Sequence, residues 1–132
     1  MELQVGVKIL LRNPLGHYLL VKRSADLYPE VGAKWDIVGG RIVPGFTLKE
    51  NLQREIKEEI GLDYEGEPRL LGAQDILRIQ DKHVVRLTYV GEIKGEPVVD
   101  GKENTEARWF TREEIQHLEP LDIYFQELTK RI

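Results

Sequence analysis

Glu55, Glu58 and Glu59 stand at i, i+3 and i+4 in the segment Arg54-Glu55-Ile56-Lys57-Glu58-Glu59-Ile60-Gly61-Leu62. In a helix, at ~100° per residue, these carboxylates fall within an arc of roughly 100° on one side. Like charges at that spacing weaken a helix by about 0.2–0.5 kcal/mol per pair. A cluster that costs stability points to a use, and hard carboxylate oxygens suit a divalent cation. Upstream, Gly39-Gly40 lets the backbone turn sharply and exposes main-chain groups where no side chain intrudes. Strand, glycine turn, loop and acidic helix can then deliver a main-chain carbonyl and several carboxylates to one point. That is a cage for Mg²⁺, which keeps waters and prefers a few carboxylates plus phosphate oxygens. Such a site polarises a phosphoryl group and lowers the pKa of a bound water. The competing reading is a solvated ion-pair ladder, Glu50, Arg54 and Glu58 stepping by four. It accounts for Arg54 and Glu58 but leaves Glu55 against Glu59 unexplained.

The elements that must position this cluster are legible around it. Leu3 to Arg12 alternates as a strand with Val5, Val7, Ile9 and Leu11 on one face, and His17 to Arg23 is a second strand. The turn Asn13-Pro14-Leu15-Gly16 joins them. A loop from Ser24 to Lys34 follows, in which Tyr28 is a candidate ligand contact, and Trp35 to Val38 is a short buried strand. A helix is predicted from Leu48 to Ile60, opened by the capping box Thr47/Glu50 and closed by Gly61. Leu48, Leu52, Ile56 and Ile60 form its core stripe. Strands are expected near Arg69 to Ile79, His83 to Ile93 and Thr105 to Phe110. A second capping box, Thr111/Glu114, opens a short helix ending before Pro120, and Asp122 caps a final helix carrying Ile123, Leu128 and Ile132. The order implies a mixed α/β (α+β) class in one layered domain, residues 1–132.

Composition narrows the function classes. The apolar share of 41% and charged share of 32% are those of a globular protein, and no apolar run reaches the ~20 residues of a membrane span. The start Met1-Glu2-Leu3-Gln4 lacks the pattern of a signal peptide, so a cytoplasmic location is expected. The absence of cysteine excludes disulfides, thiol nucleophiles and cysteine-ligated zinc. A net charge of −4 argues against a nucleic-acid polymer as partner, though not against a mononucleotide whose phosphates are neutralised by metal. High charge with one methionine and no cysteine hints at a heat-adapted source. His17, His83 and His117 share no spacing and read as solvated or capping residues. Trp35 has two readings of equal weight, a stacking partner for a base or a core residue.

The segment from Gly40 to Leu62 resembles the box of the Nudix hydrolases, G-x5-E-x7-R-E-U-x-E-E-x-G-U, where U is a bulky aliphatic. Gly40, Arg54, Glu55, Ile56, Glu58, Glu59, Gly61 and Leu62 fall in register, eight of the nine specified positions, and the first glutamate is replaced by Phe46. Leu19 to Ser24, Lys34-Trp35-Asp36 and Trp109-Phe110-Thr111 with Glu113-Glu114 resemble the flanking segments, so nearly the whole chain is covered. The resemblance implies a Nudix fold, a mixed sheet sandwiched between helices, and Mg²⁺-dependent hydrolysis of a nucleoside diphosphate derivative, with Mn²⁺ as an alternative ion. It implies metal ligation by Glu55, Glu58 and Glu59, with the Gly40 carbonyl and Glu103 as further ligands. Glu103 doubles as a candidate base, and Arg54 holds Glu55. Arg23 resembles the residue that meets substrate phosphates, and Lys82 and Asp122 align near the base.

Locally the chain looks most like the MutT-type nucleoside triphosphate pyrophosphohydrolases. The proline typical of ADP-ribose hydrolases would fall near Arg78, and the tyrosine typical of dinucleoside polyphosphate hydrolases is absent from Arg78 to Gln80. A (deoxy)nucleoside triphosphate is therefore the expected substrate. A nucleotide sugar or ADP-ribose is the alternative within the same chemistry. The alternative of another class is a catalytically impaired nucleotide-binding or sensing module, to which the loss at Phe46 would lead. Members of the family are often dimers, which makes a homodimer possible here by analogy and leaves the oligomeric state open.

Overall fold

A computed structural model describes residues 1–26 and 32–132, and Tyr28 lies outside the described residues. Strands β1 (Glu2–Arg12), β2 (Tyr18–Arg23), β3 (Trp35–Asp36), β4 (Val38–Arg41), β5 (Arg69–Ile76), β6 (Lys82–Glu92) and β7 (Asn104–Phe110) form one mixed sheet. Helices α1 (Leu48–Ile60), α2 (Arg112–Gln116) and α3 (Ile123–Leu128) accompany it. Central β1 runs parallel to β6 along its length, while its other edge takes β4 over Gly6 to Ile9 and β2 at Leu11 and Arg12.

A strand paired on both edges must bury both faces, and the alternation of β1 allots them. Val7, Ile9 and Leu11 pack with Leu52, Ile56 and Ile60 of α1. Leu10 belongs to the second core cluster, with Leu20, Trp35, Ile37, Phe110, Ile115 and Phe125 under α2 and α3. The sheet is thus sandwiched between α1 and the α2–α3 pair. Lys8 is a buried cation in this otherwise apolar strand.

Helix α1 has the predicted bounds. The Thr47 hydroxyl accepts from the Glu50 N–H while the Glu50 carboxylate accepts from the Thr47 N–H, and Gly61 closes the helix at φ +70°. Full burial of Leu52, Ile56 and Ile60 is worth about 1.5–3 kcal/mol each and fixes the rotation of the helix about its axis. That rotation decides where the acidic face points.

Several expectations need correction. Leu48 is not part of the buried stripe, because it lies in the first turn, where the helix has not yet met the sheet, and remains exposed. The segment Trp35 to Val38 is two strands rather than one. Trp35-Asp36 pairs with β2, the chain then shifts at Ile37, and Val38 onward pairs with β1. Strand β5 stops at Ile76, short of Ile79. In α3 the buried residues are Phe125 and Leu128, and Ile123 faces out.

Candidate active site

The glycine turn and the acidic helix meet where β4 crosses β1. Gly39 lies opposite Lys8 and Gly40 opposite Val7. Gly39 has φ +146°, and a Cβ there would stand 2.0 Å from the Val7 carbonyl oxygen, so only glycine fits. A Cβ on Gly40 would meet first a side chain, standing 2.4 Å from Glu55 Oε1. Gly40 thus leaves room for the Glu55 carboxylate to rest against the turn.

The acidic trio does not act as one unit. Glu59 is buried, with both oxygens engaged. Its Oε2 accepts the Gly39 N–H at 2.8 Å, and its Oε1 accepts Asn104 Nδ2 at 2.8 Å and Arg23 Nη1 at 3.2 Å. The β-bulge between Lys22 and Arg23, opposite Asn104, aims these last two side chains at the helix. Glu58 points outward, 59% exposed, with Arg54 Nε 4.0 Å away. Glu55 lies between them at 12% side-chain exposure. Burial pushes its pKa up to about 7, helped by the charges of Glu59 and Glu58 and opposed by Arg54. Burial likewise raises the Glu103 carboxyl, with Glu59 the next cause.

Arg54 is tethered rather than free. Its Nη1 donates to Asn51 Oδ1 at 2.6 Å and its Nη2 to the Arg41 carbonyl at 3.2 Å, while Glu55 lies 3.7 Å away. Asn51, fully buried, also accepts from the Val43 N–H and donates to the Phe46 and Thr47 carbonyls, stapling the loop to the helix. The Phe46 side chain itself is 57% exposed.

A cavity of about 420 Å³ opens beside this junction. Glu55, Glu103 and Gly40 line one wall, and Arg23, Lys34, Arg41 and Arg78 bring positive charge. Ile76, Ile79 and Tyr124 form an apolar end, beside which lies Asp122. On its floor the Asp36 carboxylate lies 3.4 Å from Lys8 Nζ, 3.7 Å from Arg23 Nη2 and 3.2 Å from Arg86 Nη2. Burial pushes the Asp36 pKa up, but Lys8, Arg86 and Arg23 outweigh that and hold it well below the usual carboxylate range. Lys8 is lowered to about 8 by burial and by Arg23, and its Nζ donates to the Ile37 carbonyl at 3.1 Å.

The structure therefore brings Gly40, Glu55, Glu103, Arg23 and Asp122 to one cavity. Glu58 and Glu59 flank it on the same helix without lining it. Among the described residues, no three Asp, Glu or His side chains stand close enough to hold an ion between them. The donor set nonetheless suits a hard divalent cation: carboxylate oxygens whose charges repel one another, and a cradle that a Cβ at Gly40 would fill. Trp35 is not brought to the cavity. It is buried, edge-on to Phe110 with ring centroids 5.1 Å apart, as its core reading requires. Lys82, at the start of β6, also lies outside the lining. His83 bonds Asp75 at 2.7 Å and His117 ends α2, both away from the cavity.

Sequence reasoning passed over Lys8, Asp36, Arg86, Asn51 and Asn104. The signal that could have found three of them is a charge inside an apolar strand: Val7-Lys8-Ile9, Trp35-Asp36-Ile37 and Val85-Arg86-Leu87. Isolated charges are rarely buried without a partner, so each of these asked for one.

Comparison with known proteins agrees with the fold. The chain resembles a MutT protein from Methanosarcina mazei Go1 with TM-score 0.85 and 28% identity, over 98% of this chain and 92% of that one. A MutT NUDIX hydrolase from Burkholderia pseudomallei matches with TM-score 0.82 over 100% of this chain and 99% of its own; at 23% identity it supports the fold alone. Among curated proteins, the nucleoside triphosphatase NudI of Enterobacter sp. (strain 638) is 44% identical over 48 residues, 35% of this chain and 32% of that protein. NudI of Escherichia coli (strain K12) matches to the same extent, so the chain aligns with about a third of the length of these relatives. The NUDIX domain model matches residues 2–131, and by that match, over a sheet and helix that carry the family's box, the chain belongs to the Nudix family.

Proposed function

We propose that this chain is a Mg²⁺-dependent pyrophosphohydrolase that cleaves the diphosphate linkage of a (deoxy)nucleoside triphosphate. The observation that carries the proposal is that one cavity is lined by the carboxylates Glu55 and Glu103 beside Gly40, by several cations and by the apolar side chains Ile76, Ile79 and Tyr124. Glu55 and Glu103, with the Gly40 carbonyl and with Glu58 and Glu59 from the same helix, would hold the ion. When bound, Mg²⁺ or Mn²⁺ there supplies Lewis-acid activation of the phosphoryl group. Arg23 faces the cavity beside Lys34 and Arg41, where cations neutralise phosphate oxygens and orient the chain. Ile76, Ile79 and Tyr124 offer an apolar slot for the base, with the Asp122 carboxylate at its edge to accept a base N–H.

In the reaction, water attacks a phosphorus of the diphosphate, a new P–O bond forms and the bridging P–O bond breaks. The proton from water passes to a carboxylate. Glu103, the candidate base from outside the helix, lines the same cavity and stands to receive it. Arg54, tied to Asn51 and to the Arg41 carbonyl, keeps Glu55 from swinging toward solvent.

The NudI match supports a nucleoside triphosphate over a nucleotide sugar or ADP-ribose, and all three belong in one assay. A second reading, a catalytically impaired nucleotide-binding module, is favoured by Phe46 and by the full engagement of Glu59 within the protein. The test is release of phosphate or pyrophosphate from a panel of these substrates with Mg²⁺ or Mn²⁺, beside Glu55→Gln and Glu58→Gln. Metal-dependent turnover lost in both variants is expected. Nucleotide binding without turnover of any substrate would leave the second reading standing and sink the first.

A further inference from the structure

Along the cavity runs an unbroken chain of paired charges that starts at Glu59 of the box and continues through four residues outside it, Arg23, Asp36, Arg86 and Asp122. From one end, Glu59 Oε1 meets Arg23 Nη1 at 3.2 Å, and Arg23 Nη2 lies 3.7 Å from Asp36 Oδ2. From Asp36, Oδ1 meets Arg86 Nη2 at 3.2 Å, and Arg86 Nη1 meets Asp122 Oδ2 at 3.2 Å. Asp36 is the one member that touches both arginines. Its backbone geometry is equally fixed, since Oδ1 accepts the Ile37 N–H at 2.7 Å at the point where the chain shifts from β3 to β4.

Each arginine is oriented by carboxylates. Arg86 is 4% exposed, its Nη1 and Nη2 are both taken by Asp122 and Asp36, and its Nε has no partner. Removing the Asp36 charge would therefore leave Arg86 held from the Asp122 side alone. Asp122, in turn, caps α3 through the same oxygen that meets Arg86, accepting the Phe125 N–H at 2.9 Å. A shift in Arg86 moves the residue that edges the apolar slot, and a shift in Arg23 moves the carboxylate that holds the Gly39 turn.

We propose that Asp36 is a positioning residue for both ends of the cavity, setting Glu59 through Arg23 and Asp122 through Arg86. This rests on the reading of the cavity as a metal and nucleotide site. Asp36 lies on the cavity floor with its carboxylate taken up by Lys8, Arg23, Arg86 and the Ile37 N–H, so it acts through them. It acts as a hinge pin between two arginine arms, so one buried substitution should disturb two sites on opposite sides of the cavity together. Lys8 supplies the third cation around Asp36, so three cations, Lys8, Arg23 and Arg86, stand against three carboxylates, Asp36, Glu59 and Asp122.

The experiment measures binding at each end without turnover. Mn²⁺ binding to the whole protein is followed by electron paramagnetic resonance, and binding of the four deoxynucleoside monophosphates by calorimetry in metal-free buffer. Asp36→Asn should weaken Mn²⁺ at least tenfold and the monophosphates at least fivefold. Because that variant leaves one cation in excess and Lys8 without its carboxylate, Lys8→Met/Asp36→Asn restores charge balance and is compared with Lys8→Met alone, while Asp36→Glu keeps the charge and displaces the carboxylate. The double variant, with melting close to that of Lys8→Met, should still show both losses, and Asp36→Glu should show them in part. If the double variant or Asp36→Glu binds both ligands as its reference does, Asp36 only balances charge and the proposal is overturned. Loss at one end alone also overturns it, since the two arms would then be independent. A wild type that hydrolyses nothing defeats the enzymatic reading but leaves this test intact, because its readouts are binding constants.

Discussion

Gly39→Ala and Gly40→Ala, adjacent changes of one methyl group, should fail in opposite ways. At Gly39 the added carbon would stand 2.0 Å from the Val7 oxygen and 2.7 Å from Lys8 Cα, both backbone atoms of the central strand. That strand is pinned by β6 on its other edge and cannot retreat. The φ of +146° adds strain of about 1–3 kcal/mol for an L-residue. Prying β4 off β1 loses ladder bonds worth about 1 kcal/mol each. Together the cost is about 3–5 kcal/mol, a large part of the 5–15 kcal/mol that ordinarily holds a domain of this kind together. At Gly40 the obstacle is Glu55 Oε1 at 2.4 Å, the far end of a flexible side chain. Restoring ordinary contact at roughly 3.4 Å needs a shift of about 1 Å and an off-rotamer cost of about 0.5–1.5 kcal/mol. A misplacement of ~1 Å at a reacting group costs on the order of 10²-fold in rate. Thermal unfolding by circular dichroism and hydrolysis at saturating Mg²⁺ separate the two cases. Gly39→Ala should melt at least ~10 °C lower, whereas Gly40→Ala should melt near the wild type with kcat down about a hundredfold. A Gly39→Ala protein with unchanged Tm, or a Gly40→Ala enzyme of full activity, would refute the packing argument for this turn.

Other outcomes follow from the same contacts. Lys8 has a folded pKa of about 8 against 10.5 for the free side chain, so between those values the unfolded chain binds more protons and stability rises with pH. Over that window its contribution is about 3 kcal/mol; denaturant melts at pH 8 and pH 10 should show a wild-type gain that Lys8→Met lacks, and equal slopes in both proteins would contradict it. Asn104→Leu removes the amide that donates to Glu59 Oε1 at 2.8 Å and should cost about 1–3 kcal/mol while raising the half-saturating Mg²⁺ concentration. Asn104→Asp, which sets a second carboxylate against Glu59, should be the worse of the two in both assays. Phe46→Glu alters an exposed side chain and should leave stability within about 0.5 kcal/mol. A change in kcat/KM of less than threefold fits a peripheral position, and a tenfold gain would mean that Phe46 impairs the site.

The sequence by itself determined what local chemistry controls. Helix α1 was legible to the residue because its capping box, apolar stripe and C-terminal glycine all act within a few positions. The β1 alternation and the glycine turn were legible for the same reason, and the box spacing carried the family. Tertiary structure decided the rest, because the forces involved join residues far apart in the chain. Trp35 to Val38 splits only because two different strands compete to pair with it. Whether Trp35 served a ligand or the core depended on Phe110, distant in sequence. The three glutamates share one helical face, yet each has its own fate. Glu59 is drawn inward by Asn104, 45 residues later, Glu58 is left to Arg54 and solvent, and Glu55 is held between them. Helical spacing says which carboxylates are neighbours. Burial and cross-strand partners say which is anchored, which is exposed and which carries a raised pKa, and those depend on desolvation and charge that only the folded chain creates.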